Sequence, residues 1–512
     1  MMRCFADRPN NAYDLLRQAA ARNPMGEAIV CGAERLTYLA FEQAVARTAS
    51  GLSAMGVGKC DRVAILLGNG SAFPIVLFAA LRLGAIAVPM SIREQTPGLA
   101  YMLSHSGAKV LVHDADLKDR LPAPGETSAL AHRIEVDHGA PAAALSLLTQ
   151  ERSGGEPAEV LEEDTAILLY TSGTTGRPKG AMLTHLGICH SAMHYEYCMD
   201  LTSADRTVAA VPLSHVTGVI ALVAAMVRVA GTLVVMPAFK AAEFLDLAER
   251  ERMTHALLVP AMYNLILLDR RFEECDLSSW RVGAFGGAPM APATIARFAE
   301  KLPGLSLMNA YGATETTSPV TMMPPSETSA RLDSVGRAIP CSDILVMDED
   351  GVEVPAGKEG ELWLGGPMVV KGYWDNPAAT AESFVAGYWR SGDIGSVDAD
   401  GYVRVLDRKK DMINRGGYKV FSVEVENALM SHPGVVEAAV IAQACPVLGE
   451  RVHAFVVVKN PDIEASELKR HCMERLADYK VPDFITLRSD PLPRNGNGKL
   501  MKRSLRDAPV AT

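Results

Sequence analysis

The chain predicts an α/β fold: a large N-terminal region of layered α/β subdomains plus a small β-structure, then a small α+β C-terminal domain. Three observations predict it. Up to about residue 325, helices alternate with short apolar strands, the pattern of layered α/β architecture. Beyond Arg331, short alternating segments are separated by Asp-Glu-Asp-Gly and Gly-Gly-Pro turns, the pattern of a small β-structure. The last hundred residues carry a helix, two strands and a second helix of their own.

In chain order, a helix is expected near Asn11 to Arg22. From Pro74 to Met90 an Ala/Leu-rich helix passes through Gly84 into the strand Ala85 to Pro89. The stretch from His113 to Leu161 is weakly patterned and reads as a surface excursion. Ala166 to Tyr170 is an apolar strand. Strands are also expected at Thr207 to Pro212, Thr254 to Pro260 and Trp280 to Phe285. From Val216 to Met236 only Arg228 is charged over 21 residues, near the length of a membrane span. Gly231 divides that run into a helix, Gly218 to Val229, and a strand, Thr232 to Val235, so a buried helix–strand pair is the expectation. Ile344 to Met347 and Glu361 to Leu364 belong to the β-structure. A C-terminal helix spans Val423 to Met430 with Ser422 as N-cap. Strands Val435 to Ala442 and Val452 to Lys459 follow, and then a helix from Ala465 to Tyr479.

The bulk numbers exclude several classes. At 512 residues the length prior gives about three to four structural units. A hydrophobic share of 48% and a charged share of 21% suit large ordinary cores. A net charge of −10 argues against a nucleic-acid partner, which needs a concentrated basic face. The nine cysteines form no CxxC pair, as expected for reduced thiols in a cytoplasmic protein. Arg3, Asp7 and Arg8 interrupt the amino terminus, which therefore lacks a signal-peptide core.

The richest motif is Thr171-Ser-Gly-Thr-Thr-Gly-Arg-Pro-Lys-Gly180, directly after the strand Ala166 to Tyr170. Its glycines allow tight turns that present backbone N–H groups, its Thr and Ser add hydroxyl donors, and Lys179 adds positive charge. Together they form a concave anion site suited to a polyphosphate. It is not a Walker A loop, because Gly173 and Gly176 are too close and Arg177 and Pro178 precede Lys179.

Further segments follow in order: Pro212-Leu-Ser-His-Val-Thr-Gly218, Asn309-Ala-Tyr-Gly-Ala-Thr-Glu315 and Tyr388-Trp-Arg-Ser-Gly-Asp393. Asp407-Arg-Lys-Lys-Asp-Met-Ile-Asn-Arg-Gly-Gly417 comes next, and Pro493-Arg-Asn-Gly-Asn-Gly-Lys499 closes the set. Taken together with the phosphate loop, they resemble the adenylate-forming (ANL) superfamily of acyl- and aryl-CoA ligases, luciferases and peptide-synthetase adenylation domains. The resemblance runs over essentially the whole chain and is nearest to the acyl-CoA synthetase, fatty-acid–CoA ligase branch.

The resemblance implies a large adenylation domain, residues 1–407, and a small mobile domain, residues 408–512, with a hinge at Lys410. It implies ATP, Mg²⁺ and coenzyme A as cofactors. Thr171, Ser172, Gly173, Thr174, Thr175, Gly176 and Lys179 would hold the β- and γ-phosphates, with Thr171 also near the chemistry. Glu315 would coordinate Mg²⁺ and Thr314 would lie near the α-phosphate. Gly287, Ala288 and Pro289 would form the backbone wall against adenine, with Tyr311 and Gly312 on the opposite face. Asp393 would take the ribose hydroxyls, supported by Arg408. His215 would gate the acyl pocket, and Gly416 and Gly417 would meet the incoming thiol. Lys499 would be the central catalytic group of the first step, touching both the acid carboxylate and the α-phosphate.

The acid is expected to be a neutral hydrophobic carboxylic acid, fatty or aryl. Val211 to Ile220 holds no Asp to grip an amino group, and Val216 to Ala225 is apolar, which disfavours a dicarboxylate. Only 13 residues follow Lys499, too few for a carrier-protein module. Asn414 stands where some relatives carry Lys, so no second-step lysine is expected there. The alternatives are an aryl/phenylpropanoid acid–CoA ligase, amino-acid or other acid adenylation without CoA transfer, a luciferase-like oxygenase, and a non-enzymatic nucleotide-binding or regulatory protein. A monomer or homodimer is expected, with peripheral membrane contact left open.

Overall fold

The computed structural model describes residues 3–137, 155–171, 177–494 and 500–506. Its chain divides into two units, Met1–Ile344 with Leu364–Trp389, and Leu345–Trp363 with Arg390–Thr512. Among the described residues, the first unit holds a nine-stranded and a six-stranded sheet.

In the six-stranded sheet, His132–Val136, Val110–Asp114, Arg62–Leu66, Ile86–Pro89 and Thr165–Thr171 run parallel, and Lys179–Thr184 closes it antiparallel. Central strands of this kind are apolar throughout because both faces are covered; Ile86–Pro89 is buried at every position. The segment from His113 to Leu161 is therefore not wholly an excursion. Its residues His132–Val136 add a parallel edge strand, a short piece whose polar His, Arg and Glu masked its pattern. Residues 138–154 lie outside the described set.

The nine-stranded sheet is parallel from Glu27–Cys31 through Thr232–Val235, Arg206–Ala209, His255–Leu258 and Val282–Phe285 to Ser306–Ala313. Ser318–Met322 turns back antiparallel beside Ser306–Ala313. Under this sheet Trp280, Tyr263, Phe244 and Phe298 form one apolar cluster with residues of the helices Ala241–Arg250, Pro260–Leu268 and Pro292–Lys301. The expected helix after Val216 is present, but its first part, Thr217–Ala224, is a π-helix and only Ala225–Val229 is α. Wide helical turns of this sort are rare and concentrate at functional sites. Among the described residues no helix is long and apolar enough to cross a membrane.

One buried side chain fastens the two sheets. Asn69, 7% exposed, follows the strand Arg62–Leu66 of the smaller sheet. Its amide nitrogen donates to Val211 O and Met236 O at 3.0 Å, and its oxygen accepts from Leu213 N at 2.9 Å. Alanine there removes the amide partner of two carbonyls and one N–H at a buried position. Each such loss costs about 1–3 kcal/mol, so Asn69→Ala is expected to lower the denaturant midpoint by an amount equivalent to about 3 kcal/mol or more. A shift under about 1 kcal/mol would show that water replaces the amide.

In the second unit, Tyr418–Val420, Ile413–Arg415, Gly449–Val458 and Val435–Cys445 form an antiparallel sheet, with Phe484–Arg488 added parallel to Gly449–Val458. Helices Ser422–Met430 and Ala465–Met473 cover it through Val425, Leu429, Leu468 and Cys472. Ser422 is not the N-cap. The cap position is Phe421, and the Ser422 hydroxyl instead donates to Asp407 Oδ1 at 3.0 Å. The helix expected from Ala465 to Tyr479 stops at Met473, and a 3₁₀ turn, Asp478–Lys480, follows.

Candidate active site

In the first unit, the motif from Thr171 to Gly180 joins the strands of a β-hairpin. Thr165–Thr171 leads in, Lys179–Thr184 leads out, and Thr171 pairs in register with Lys179. Thr171 and Lys179 thus stand side by side at the mouth of the loop. Ser172, Gly173, Thr174, Thr175 and Gly176 lie outside the described residues.

A second element brings an acid to that mouth. After Ser306–Ala313, the 3₁₀ turn Thr314–Thr316 places Glu315 with 8% exposure. Glu315 Oε1 accepts from Tyr373 Oη at 3.0 Å and from Thr171 Oγ1 at 3.4 Å. Both hydroxyls use the same oxygen, so the carboxylate is oriented while neither hydroxyl occupies Oε2. Burial, reinforced by the Glu315 charge, pushes the Tyr373 phenol pKa up, so the phenol remains a donor at neutral pH. Lys179 Nζ lies 4.9 Å from the Tyr373 ring centroid, over its electron-rich face. The backbone just past Glu315 is strained: Thr317 and Ser318 have φ of +50° and +107°. Strain in non-glycine residues gathers where function fixes a geometry.

The oriented carboxylate fits a hard cation. Among the described residues no three His, Cys, Asp or Glu side chains gather to hold a metal by themselves. A magnesium ion here would therefore take Glu315 plus oxygens from a nucleotide's phosphates, the pattern of few protein ligands that Mg²⁺ favours.

Adjacent parallel strands deliver the remaining groups of this unit. Gly287, Ala288 and Pro289 follow the end of Val282–Phe285 and are exposed. Tyr311, Gly312 and Thr314 come at and just past the end of the neighbouring strand, whose Asn309 pairs with Phe285. Gly312 cannot be replaced freely, because a Cβ would fall 2.0 Å from Ser318 O. Carboxyl ends of neighbouring parallel strands are the usual crevice for ligands in α/β sheets. His215 enters the π-helix: its N–H donates to Pro212 O at 3.2 Å, and its carbonyl accepts from Val219 N at 2.8 Å. The ring is half-buried.

In the second unit, Asp393 and Arg408 face each other on paired antiparallel strands, with Arg408 Nε 2.5 Å from Asp393 Oδ1. Asp393 is 4% exposed and its N–H donates to Ser391 Oγ at 3.0 Å. Lys410 is exposed, and its carbonyl accepts from Arg506 at 3.3 Å. Gly416 and Gly417 form an exposed turn with φ of +59° and +91°. Only glycine adopts such a pair without strain. Asn414 Oδ1 accepts from Gly417 N at 3.1 Å and pins the turn. Lys499 lies outside the described residues.

Sequence reasoning missed Tyr373. It lies in Lys371-Gly-Tyr-Trp374, outside every motif singled out in the sequence, and only its neighbours in space give it a role. Asn69 was also missed: it lies in Gly68-Asn-Gly70, and its partners Val211, Leu213 and Met236 are more than 140 residues away.

Comparison with known proteins adds independent findings. Residues 16–374 match the family model "AMP-binding enzyme", and residues 424–499 match "AMP-binding enzyme C-terminal domain". A feruloyl-CoA synthase of Amycolatopsis sp is 37% identical over 490 residues, covering 95% of this chain and 96% of that protein. The long-chain-fatty-acid–CoA ligase FadD13 of Mycobacterium tuberculosis is 34% identical over 501 residues, covering 97% and 98%. The o-succinylbenzoate CoA synthetase of Bacillus subtilis, solved with its acyl-adenylate intermediate, aligns at a TM-score of 0.87 and 30% identity, covering 98% and 99%. The same enzyme is also solved with ATP and magnesium ion, at a TM-score of 0.85 and 30% identity, covering 96% and 99%.

Proposed function

Because the chain belongs to the AMP-binding enzyme family, we propose that it is an AMP-forming acid–thiol ligase acting on a hydrophobic carboxylic acid, aryl or fatty. The observation that carries this is the Thr171–Glu315–Tyr373–Lys179 cluster, a fixed carboxylate and a cation at the mouth of the loop motif.

The chemistry runs in two steps. An acid carboxylate oxygen attacks the α-phosphorus of ATP, the bond to the β-phosphate bridging oxygen breaks, and pyrophosphate leaves. The sulfur of coenzyme A then attacks the acyl carbon of the adenylate, the C–O bond to AMP breaks, and the thiol proton is lost. The first step joins two anions, so cations and aligned donors govern its barrier. Lys179 and the hydroxyl of Thr171 hold the phosphate end, and Glu315 is the residue that would hold magnesium. When bound, that ion supplies positive charge to the phosphates. Gly287, Ala288, Pro289, Tyr311 and Gly312 receive the adenine, Thr314 lies toward the α-phosphate, and Asp393 with Arg408 receives the ribose. Lys499 bridges the acid and the α-phosphate. His215, at the head of an apolar π-helix, bounds the acyl pocket. Lys410 is the hinge, and Gly416 with Gly417 admits the thiol. The neutral, apolar run Val219 to Ala224 supports an uncharged acyl group, since a second carboxylate would need a buried cation. The enzyme works in the cytoplasm, in keeping with its nine free cysteines.

The test is an acid panel, with medium- and long-chain fatty acids beside benzoate and cinnamate-type acids, each assayed with ATP and magnesium. Acid-dependent exchange of labelled pyrophosphate into ATP is expected, and AMP release is expected to need coenzyme A. Exchange with no thiol-dependent AMP release would favour adenylation alone. No exchange with any acid would remove the proposal.

A further inference from the structure

Tyr373 does more than fill the core. It belongs to Val370–Trp374, a segment bonded to both halves of the phosphate site. At one end, Val370 N donates to the backbone carbonyl of Glu315 at 2.9 Å. At the other, Tyr373 pairs antiparallel with Ala181, Trp374 N donates to Gly180 O at 2.7 Å, and Met182 N donates to Gly372 O at 3.1 Å. The segment is therefore a crossbar between the turn that carries Glu315 and the strand that begins with Lys179.

The side chain repeats the connection. Its hydroxyl donates to Glu315 Oε1 at 3.0 Å, and its ring lies under Lys179 Nζ at 4.9 Å. Phe384, tilted 65° with centroids 5.5 Å apart, supports the ring from the side, and only 6% of Tyr373 is exposed. One rigid group thus touches an acid at one point and a base at another. A phenol does this where a carboxylate or a lysine could not, because it donates to the acid through its edge while its face attracts the ammonium. It also keeps the opposite charges of Glu315 and Lys179 separately engaged rather than paired with each other.

We infer that Tyr373 is a positioning residue that orients the Glu315 carboxylate toward a cation while seating Lys179 for the phosphates. This rests on the reading above in which Glu315 holds magnesium and Lys179 binds phosphate. Partners that orient a metal ligand typically account for about 10- to 100-fold in metal affinity.

The test is binding of Mn²⁺ in the presence of ATP, without acid or coenzyme A, followed by electron paramagnetic resonance. The wild type, Tyr373→Phe, Tyr373→Leu and Glu315→Gln are compared, with thermal melting as the control for folding. Tyr373→Phe keeps the ring and removes the hydroxyl, so Mn²⁺ affinity is expected to fall about tenfold while AMP affinity stays at the wild-type value. Tyr373→Leu also removes the aromatic face, so ATP affinity is expected to fall severalfold further. If Tyr373→Leu melts early, Lys179→Met reports the ammonium–ring half from the other side. Wild-type Mn²⁺ affinity in Tyr373→Phe beside weakened Glu315→Gln would overturn the positioning role alone. Wild-type affinity in Glu315→Gln would overturn both that role and the metal assignment beneath it.

Discussion

Replacing Lys499 by alanine is expected to slow acyl-adenylate formation by about 100-fold or more, with little change in thermal stability. The size follows from the charge that builds when a carboxylate meets a triphosphate. Removing one preorganised donor to such charge costs about 10²–10³ in rate, equivalent to about 2.7–4 kcal/mol of barrier. The unchanged stability follows from the anchoring of the flanks within the second unit. Arg494 and Leu500 form an antiparallel bridge, and Met501 N donates to Pro493 O at 2.8 Å. Just downstream, Lys502 Nζ lies 2.7 Å from Glu426 and donates to Ser422 Oγ at 2.6 Å. Leu492 and Leu505 are buried in the same apolar cluster. Acid-dependent pyrophosphate release is the measurement, and thioester formation from supplied acyl-adenylate is the control expected to stay near wild type. Pyrophosphate release at the wild-type rate would take Lys499 out of the mechanism.

The second large effect is acid lability between about pH 6.5 and 4. Four histidines of the first unit are buried with depressed pKa values. Burial lowers His185, His190 and His255 to about 4 and His194 to about 3. Their surroundings show why. His190 stacks on Phe5 with centroids 5.0 Å apart, and neither ring nitrogen has a hydrogen-bond partner among the described residues. Among the described residues His255 bonds only through Nδ1, to Thr207 at 2.9 Å, and His185 Nδ1 accepts from Ala12 N at 3.2 Å. In the folded chain these rings stay neutral until the pH nears 4, whereas in the unfolded chain they charge near 6.5. The unfolded state therefore binds more protons across that window, and stability, fully present above it, falls as pH falls through it. Four such groups set an upper bound of roughly 5 kcal/mol lost per pH unit near pH 5. Denaturant midpoints taken from pH 7.5 to 4.5 should fall steeply, and His190→Phe with His194→Phe should flatten the curve. A midpoint independent of pH over this range would show that the rings already carry protons in the fold.

Legibility divided along physical lines. The strands Ile86–Pro89, Thr232–Val235 and Val282–Phe285 were readable because a strand covered on both faces must be apolar at every position. The edge strand His132–Val136 was not, because an edge tolerates the alternating polar residues that also mark a loop. The helix from Gly218 to Val229 was expected from its apolar run, but composition does not separate π from α turns, since both bury the same side chains. Ser422 has the chemistry of an N-cap, yet Asp407 and Lys502 claim its hydroxyl, and those partners lie 15 and 80 residues away.

The same division holds for the site and marks where local information ends. The sequence by itself determined the α/β class, the glycine-rich motif Thr171 to Gly180 and the ordered motifs around Glu315, Asp393 and Lys499, because backbone freedom and charge type are properties of residues and near neighbours. Only the tertiary structure decided that Thr171 and Tyr373 share one oxygen of Glu315, that Lys179 rests on an aromatic face, and that Asn69 fastens two sheets. Those contacts join residues 58 to 194 positions apart or more than one strand away. No periodicity or spacing encodes them, since it is the packing of the sheets that brings such groups within bonding distance.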